Sequence, residues 1–155
     1  MNSQRISLTR IIAVNWYGFR QIVDISNHTL ISGAFGSGKS ALLDLIQYVL
    51  LGEDWRPNRA ASGAARGRTL VSYCLCDTNY TRDGEPHYIR RDGVTFIALE
   101  FTWPSERGKE PRRETWGVRI QFTSPTSQAE QTYFCISARL DWADLAPSGD
   151  RKSVV

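Results

Sequence analysis

The first fifty residues of this 155-residue chain contain apolar runs at strand-like spacing. The run through residues 5–19 predicts a strand that ends in a turn at Gly18, because glycine tolerates turn conformations. Two shorter apolar runs, residues 21–25 and 29–31, predict a second and a third strand. The third of these leads directly into a cluster of glycines.

Residues 40–51 have helical spacing instead, and Gly52 is a typical helix terminator. Residues 53–68, rich in glycine, alanine, arginine and asparagine, predict a loop. The apolar side chains on or near one predicted face of the helix are Leu42, Leu43, Ile46, Val49 and Leu50.

The second half of the chain has the composition of β structure. Its β-branched and aromatic runs, separated by polar segments, predict an antiparallel meander over residues 94–103, 116–122 and 131–137. A short helical turn is predicted at residues 140–145. One strong helix among many strands indicates an α/β fold with an α+β-like layout. We expect a single domain over residues 1–145 and a flexible tail over residues 146–155.

Composition narrows the class of protein only a little. The chain is 41% hydrophobic and 11% aromatic, enough to form a core, and its net charge of +3 does not by itself indicate nucleic acid. No apolar run is long enough to span a membrane, and the N-terminus lacks a secretory signal pattern. Three cysteines, two of them at C-x-C spacing, favour neither disulfides nor zinc. We therefore expect a cytoplasmic protein.

The glycine cluster matches the phosphate-binding pattern G-x-x-x-x-G-K-[ST] at every fixed position. Glycines let the backbone curl so that its N–H groups converge on a polyphosphate, and the helix that follows adds its positive N-terminus. Lys39 would reach the β- and γ-phosphates, and the Ser40 hydroxyl would ligate Mg²⁺. The alternative is a glycine-rich turn that binds nothing. The predicted loop comprises Gly33, Ala34, Phe35, Gly36, Ser37, Gly38, Lys39 and Ser40.

The motif alone does not supply catalysis, because hydrolysis also needs a carboxylate for Mg²⁺ and a group that positions water. The nearest approach to such a Walker B segment ends at Glu100, which lacks the usual aspartate and continues as an alternating strand. We interpret Glu100 as an ordinary sheet residue. The sequence thus predicts a nucleotide-binding chain without a complete catalytic set.

Several segments together resemble the N-terminal lobe of an SMC-type ABC ATPase head. The similar segments are Asn15-Trp16-Tyr17-Gly18-Phe19, the phosphate loop, and Leu42-Leu43-Asp44-Leu45-Ile46. The loop from Asn58 to Leu70 is most similar to that of JetC-type subunits, the MukB-like SMC proteins of Wadjet plasmid-defence systems. The resemblance is good over about residues 8–73 and weaker over residues 94–145.

The resemblance implies a fold, a cofactor and partners. A largely antiparallel β subdomain would pack beside the Walker A helix, and two complete heads would sandwich ATP and Mg²⁺. Tyr17 and Ala41 would lie near the nucleotide. The implied partners are a C-terminal lobe and coiled coil of the same ATPase, a second head, a kleisin-type subunit and double-stranded DNA, and ATP turnover would drive loop extrusion or plasmid defence.

The chain departs from the family pattern at three positions near the nucleotide. Phe35 occupies a position that is usually asparagine, Tyr17 one that is often lysine or arginine, and Ala41 one that is often threonine or asparagine. The motifs for hydrolysis, Walker B and the signature motif, are not in this sequence. We therefore expect the chain alone to be inactive.

An arginine-rich loop follows the predicted helix, and no acidic residue lies between Arg56 and Cys76. Arginines on a flexible loop can contact a phosphate backbone without reading sequence. The alternatives are a solvated loop, or an arginine that pairs with the nucleotide or a partner head. The candidate DNA contacts are Arg56, Arg59, Arg66 and Arg68.

Two other functions fit the phosphate loop. A self-contained small P-loop NTPase or kinase would need a parallel sheet built from βαβ units, which the second half does not predict. A binding module with a vestigial loop would show no affinity for ATP.

Overall fold

The computed structural model describes residues 5–26, 28–57, 68–82, 85–105 and 109–145, with residues 79–82 described for the backbone alone. Its main element is a five-stranded sheet, and a two-stranded hairpin lies beside it. The sheet strands are β1 (Ser7–Trp16), β2 (Phe19–Asp24), β5 (Gly93–Thr102), β6 (Arg113–Phe122) and β7 (Glu130–Ile136), and the hairpin strands are β3 (Asp77–Arg82) and β4 (Glu85–Tyr88).

The order of strands in the main sheet is β2-β1-β5-β6-β7, and every neighbouring pair is antiparallel. The predicted meander of the second half is confirmed as β5, β6 and β7. The predicted strands of the first half are confirmed as β1 and β2, which join through a turn at Gly18. The fold is therefore mixed α/β with an antiparallel sheet.

Helix α1 (Lys39–Leu51) covers one face of the sheet, called the front face here. The helix ends at Gly52, as predicted, and a short 3-10 turn follows. The prediction of its apolar face was wrong in part, because Leu43 and Leu50 are about half exposed. The side chains that it buries are Ala41, Leu42, Asp44, Leu45 and Tyr48.

The core under α1 is rich in aromatic side chains. Trp16 lies at its centre, fully buried, with its ring stacked on Tyr73 at a centroid distance of 4.5 Å. Tyr48 and Trp55 close the cluster with tilted or edge contacts. Aromatic pairs at these distances add to the free energy of simple burial. This cluster fixes the end of β1 against the helix.

The predicted third strand at residues 29–31 is wrong. This segment belongs to neither sheet, and the backbone groups on an isolated strand would have no partner. Helix α2 (Leu70–Cys74) and the β3–β4 hairpin were not predicted from the sequence. Helix α2 is five residues long and starts at a capping box formed by Thr69 and Ser72, which departs from the usual S/T-x-x-E pattern.

The predicted helical turn near the C-terminus is confirmed as α3 (Trp142–Leu145). The tail at residues 146–155 lies outside the described residues, so its flexibility and the single-domain boundary stay predictions. None of the described helices has the length and apolar character needed to cross a membrane.

Candidate functional site: the phosphate loop

The loop at residues 33–40 is strongly bent and lies at the surface. Gly36 and Gly38 have φ of 80° and 88°, in the left-handed region, and the Ser37 N–H donates to the Ala34 carbonyl at 3.2 Å. Residues 33–37 are exposed. The bend is therefore formed by the chain itself and is open to solvent on its outer side.

Lys39 lies across the inside of this bend. Its ammonium donates to the carbonyls of Gly33 and Ala34, both at 2.7 Å, and to Ser37 Oγ at 3.4 Å. The ammonium contacts polar atoms rather than apolar packing. A positive charge is thus held where a phosphate would approach the loop.

Helix α1 begins at Lys39 and directs its N-terminus at the same place. Its N-cap is Gly38, which offers no side-chain acceptor, and the first turn contains no acidic residue. The first backbone N–H groups of a helix have no partner within the helix, so they are available to an anion. Ser40 lies half-buried in this turn, while the Ala41 methyl is fully buried in the core.

Gly38 is required for two separate reasons. Its φ of 88° disfavours any L side chain, and a Cβ at this position would lie 2.4 Å from Phe19 Cζ. The Phe19 ring at the start of β2 therefore supports the loop from below. Gly36 has a similar φ, but a Cβ at this position would meet no atom within 4 Å. At Gly36 only the backbone conformation therefore disfavours a side chain.

Strand β1 positions the helix that carries the loop. The Trp16 indole N–H donates to the Ala41 carbonyl at 2.8 Å. Trp16 is therefore a core residue. Tyr17 follows it with φ of 45°, its N–H donates to the Tyr73 carbonyl at 2.8 Å, and its ring is half-buried.

A buried polar cluster lies one helical turn beyond the loop. Asp44 is fully buried in α1 and accepts a short hydrogen bond from the Tyr73 hydroxyl. Arg68 donates to that hydroxyl at 2.9 Å and lies 3.7 Å from Asp44 Oδ2. Burial and the bond to Asp44 raise the pKa of Tyr73 well above its ordinary range, so the hydroxyl remains a donor.

Arg68 therefore belongs to this buried cluster, whereas the sequence predicted that it would lie on an exposed loop. Its guanidinium lies over the rings of Tyr17 and Tyr73, with centroid distances of 5.8 Å and 5.7 Å. Two predicted site residues, Tyr17 and Arg68, are thus brought together. The roles of Asp44 and Tyr73 were not predicted from the sequence; a lone acid inside an apolar helix was the available signal for Asp44.

The other arginines of the loop are only partly described. Arg56 is exposed and donates to the carbonyls of Glu53 and Trp55. Arg59 and Arg66 lie outside the described residues. Their contact with DNA stays a prediction.

The position of Glu100 in the sheet does not fit the role of a Walker B carboxylate. Leu99 and Phe101 face the core under α1, so the residue between them faces the opposite side of the sheet. There Glu100 is buried and bonded to Thr9 and Arg10. Among the described residues no group of acidic, histidine or cysteine side chains could hold a metal ion.

The comparisons with known proteins agree with the geometry of the loop. A family model for the P-loop containing region of AAA domains matches residues 8–64. The match begins in β1 and includes the whole loop and helix α1, but it covers less than half of the chain. No curated protein matches this sequence. The chain thus carries a P-loop region of the NTPase type, which supports nucleotide binding and, with it, Mg²⁺ binding.

Proposed function

We propose that this chain is the ATP-binding Walker A lobe of an SMC-like ATPase that acts on DNA, in loop extrusion or plasmid defence of the JetC type. The observation that carries the proposal is the loop at residues 33–40, bent around the Lys39 ammonium at the N-terminus of α1. Backbone N–H groups and Lys39 would bind the phosphates, and Ser40 would ligate Mg²⁺.

Hydrolysis in this proposal needs a second lobe and a partner head. The one acid near the loop on α1, Asp44, is already bonded to Tyr73 and Arg68, and Glu100 lies behind the sheet. Neither Asp44 nor Glu100 is therefore placed to ligate Mg²⁺ at the loop.

An uncovered apolar surface supports the same proposal. Leu30 is 87% exposed in a segment without a strand partner, Phe35 is fully exposed at the tip of the loop, and Leu43 and Leu50 face outward from α1. Single exposed apolar residues are common, but exposed apolar side chains before the loop, in it and along α1 are consistent with a surface that another lobe covers. We propose the C-terminal lobe of the same ATPase as its occupant.

A self-contained small kinase or NTPase is the second candidate. Such an enzyme binds its nucleotide at the end of a parallel sheet, whereas every strand pair among the described residues is antiparallel. The topology therefore favours the incomplete lobe.

Titration calorimetry with ATP and Mg²⁺ tests the nucleotide site. We expect weak binding that Lys39→Ala reduces about 10- to 100-fold, because the variant has no ammonium to bind the phosphates. The control is Lys109→Ala, which removes the same charge from the exposed β5–β6 turn and should bind like the wild type. Absence of ATP binding at any Mg²⁺ concentration would indicate a vestigial loop.

An ATPase assay on the same proteins tests the need for a second lobe. We expect no steady turnover by the chain alone. Turnover that disappears in Lys39→Ala but not in Lys109→Ala would favour the self-contained enzyme.

DNA contact by the arginine loop is tested in a complete complex, with double-stranded DNA and a salt titration. Replacing Arg56, Arg59 and Arg66 by Ala should weaken binding regardless of sequence. The slope of log K against log salt should fall by about one for each phosphate that the variant no longer neutralises. An unchanged slope would remove the loop from the DNA surface.

A further inference from the structure

The sheet face opposite α1, called the back face here, carries a row of polar residues near one end. Register places four side chains side by side across four strands, and three of them, Arg10, Glu100 and Thr115, are almost completely buried. Arg10 Nη1 donates to Glu100 Oε2 at 3.3 Å. The row runs Asp24, Arg10, Glu100, Thr115.

The segment that follows β7, residues 137–145, crosses this row. The Ala138 carbonyl accepts from Thr115 Oγ1 at 2.7 Å, and Arg139 lies 3.9 Å from Glu100 and 3.6 Å from Asp24. The segment therefore contacts β6 through Ala138, and it contacts β5 and β2 through Arg139.

The next residues of the segment bind Arg10 and reach the far edge of the sheet. The Leu140 carbonyl accepts from Arg10 Nη1 at 2.8 Å, and Asp141 Oδ1 lies 3.2 Å from Nη2. Trp142 then lies under the Arg20 guanidinium of β2, 5.9 Å from the ring centroid. The segment thus connects β7, one edge of the sheet, to β2, the other edge.

We propose that residues 137–145 form a strap, held by ion pairs and detachable without unfolding of the sheet, that decides at which edge the chain leaves this domain. When the strap is bound, the chain leaves beside β2. When it is detached, the chain leaves from the end of β7, four strand spacings or about 19 Å away.

Two observations indicate that the strap can detach alone. None of residues 137–145 is fully buried, and Trp142, the largest apolar side chain among them, is already 41% exposed, so detachment uncovers partly exposed side chains of the strap rather than a packed core. When the strap detaches, Glu100 still has its ion pair with Arg10 and still accepts a hydrogen bond from the Thr9 hydroxyl at 2.9 Å. These polar contacts lie within the sheet and do not depend on the strap. No buried charge would be left without a partner.

Hydrogen–deuterium exchange on the full chain, followed by mass spectrometry of the 137–145 peptide, tests the strap. Because the pairs of Asp141 and Arg139 are partly exposed, exchange in this peptide should accelerate between about 50 mM and about 500 mM NaCl while exchange in β5 stays constant. Asp141→Asn should accelerate it about two- to fivefold at low salt, the effect of one exposed ion pair.

The matched control is Asp92→Asn, an equally conservative change at the exposed turn before β5. It should leave exchange in the strap unchanged. Strap exchange that equals that of β5 at every salt concentration, or an Asp141→Asn variant that behaves like Asp92→Asn, overturns the proposal. ATP is absent from this experiment, so its outcome is independent of the nucleotide site.

Discussion

Arg68 offers the sharpest test of the site, because the sequence predicted a surface contact and the structure places it beside a buried acid. In Arg68→Ala, Asp44 stays buried without the Arg68 guanidinium beside it, while the Tyr73 hydroxyl still donates to it. Removing one partner of a buried ion pair costs about 3–5 kcal/mol. The side chain of Arg68 is 23% exposed and Tyr73 still donates, so we expect a value near the lower limit, about 3 kcal/mol.

Urea denaturation followed by tryptophan fluorescence measures this decrease in stability, since Trp16 stacks directly on Tyr73. The melting temperature should fall by roughly 6–12 °C in a domain of this size. Arg56→Ala is the control: its guanidinium binds nearby carbonyls at the surface, so its cost should stay under about 0.5 kcal/mol.

A double-mutant cycle then separates the ion pair from general damage to the fold. Asp44→Asn combined with Arg68→Ala should cost less than the sum of the single changes, by about 1 kcal/mol or more. If Arg68→Ala is no more destabilising than Arg56→Ala, or if the two changes at Asp44 and Arg68 are additive, the ion pair is refuted and Arg68 acts as an ordinary surface residue.

Two further predictions concern the loop and the sheet. Gly38→Ala should destabilise the protein more than Gly36→Ala, because both change a residue with positive φ but only the first places a Cβ against Phe19; equal melting temperatures would contradict this. Glu114 accepts from the Trp116 indole and from Arg112, and these bonds lower the pKa of its carboxyl. The stability that Glu114 contributes is therefore present above the ordinary carboxyl pKa, about 4.3, and is lost as the pH falls through the lower pKa of the folded state. The stability difference between wild type and Glu114→Gln should shrink as the pH falls below about 4, and a difference that is constant from about pH 7 to about pH 3 would contradict the assignment.

The cysteines illustrate how burial changes chemistry that composition cannot specify. All three are free; Cys74 and Cys76 are buried and Cys135 is exposed. Burial raises the pKa of the Cys74 thiol to about 12, which leaves it protonated and unreactive at neutral pH. Cys74 and Cys76, the pair at C-x-C spacing, are thus packed in the protein interior at the end of α2.

Local patterns determined which elements could be predicted correctly from the sequence. The phosphate loop, helix α1 with its stop at Gly52, and the three strands of the meander each depend on residues that are close in the chain. Such elements form wherever their own spacing and glycines permit, so their type and place follow from the sequence alone.

Contacts between distant residues decided the rest. Residues 29–31 have strand-like composition but join neither sheet of the described part of the chain, and Leu43 and Leu50 of α1 face outward, whereas the other side of the helix packs on the cluster of Trp16 and Tyr73. Arg68 is drawn to Asp44 from a distant part of the chain, and the strap is held by Arg10, which lies 130 residues before Leu140. The pattern along the chain shows which side chains are charged or apolar, but only the folded chain determines which of them meet, since that depends on burial and on the partners that the sheet brings within reach.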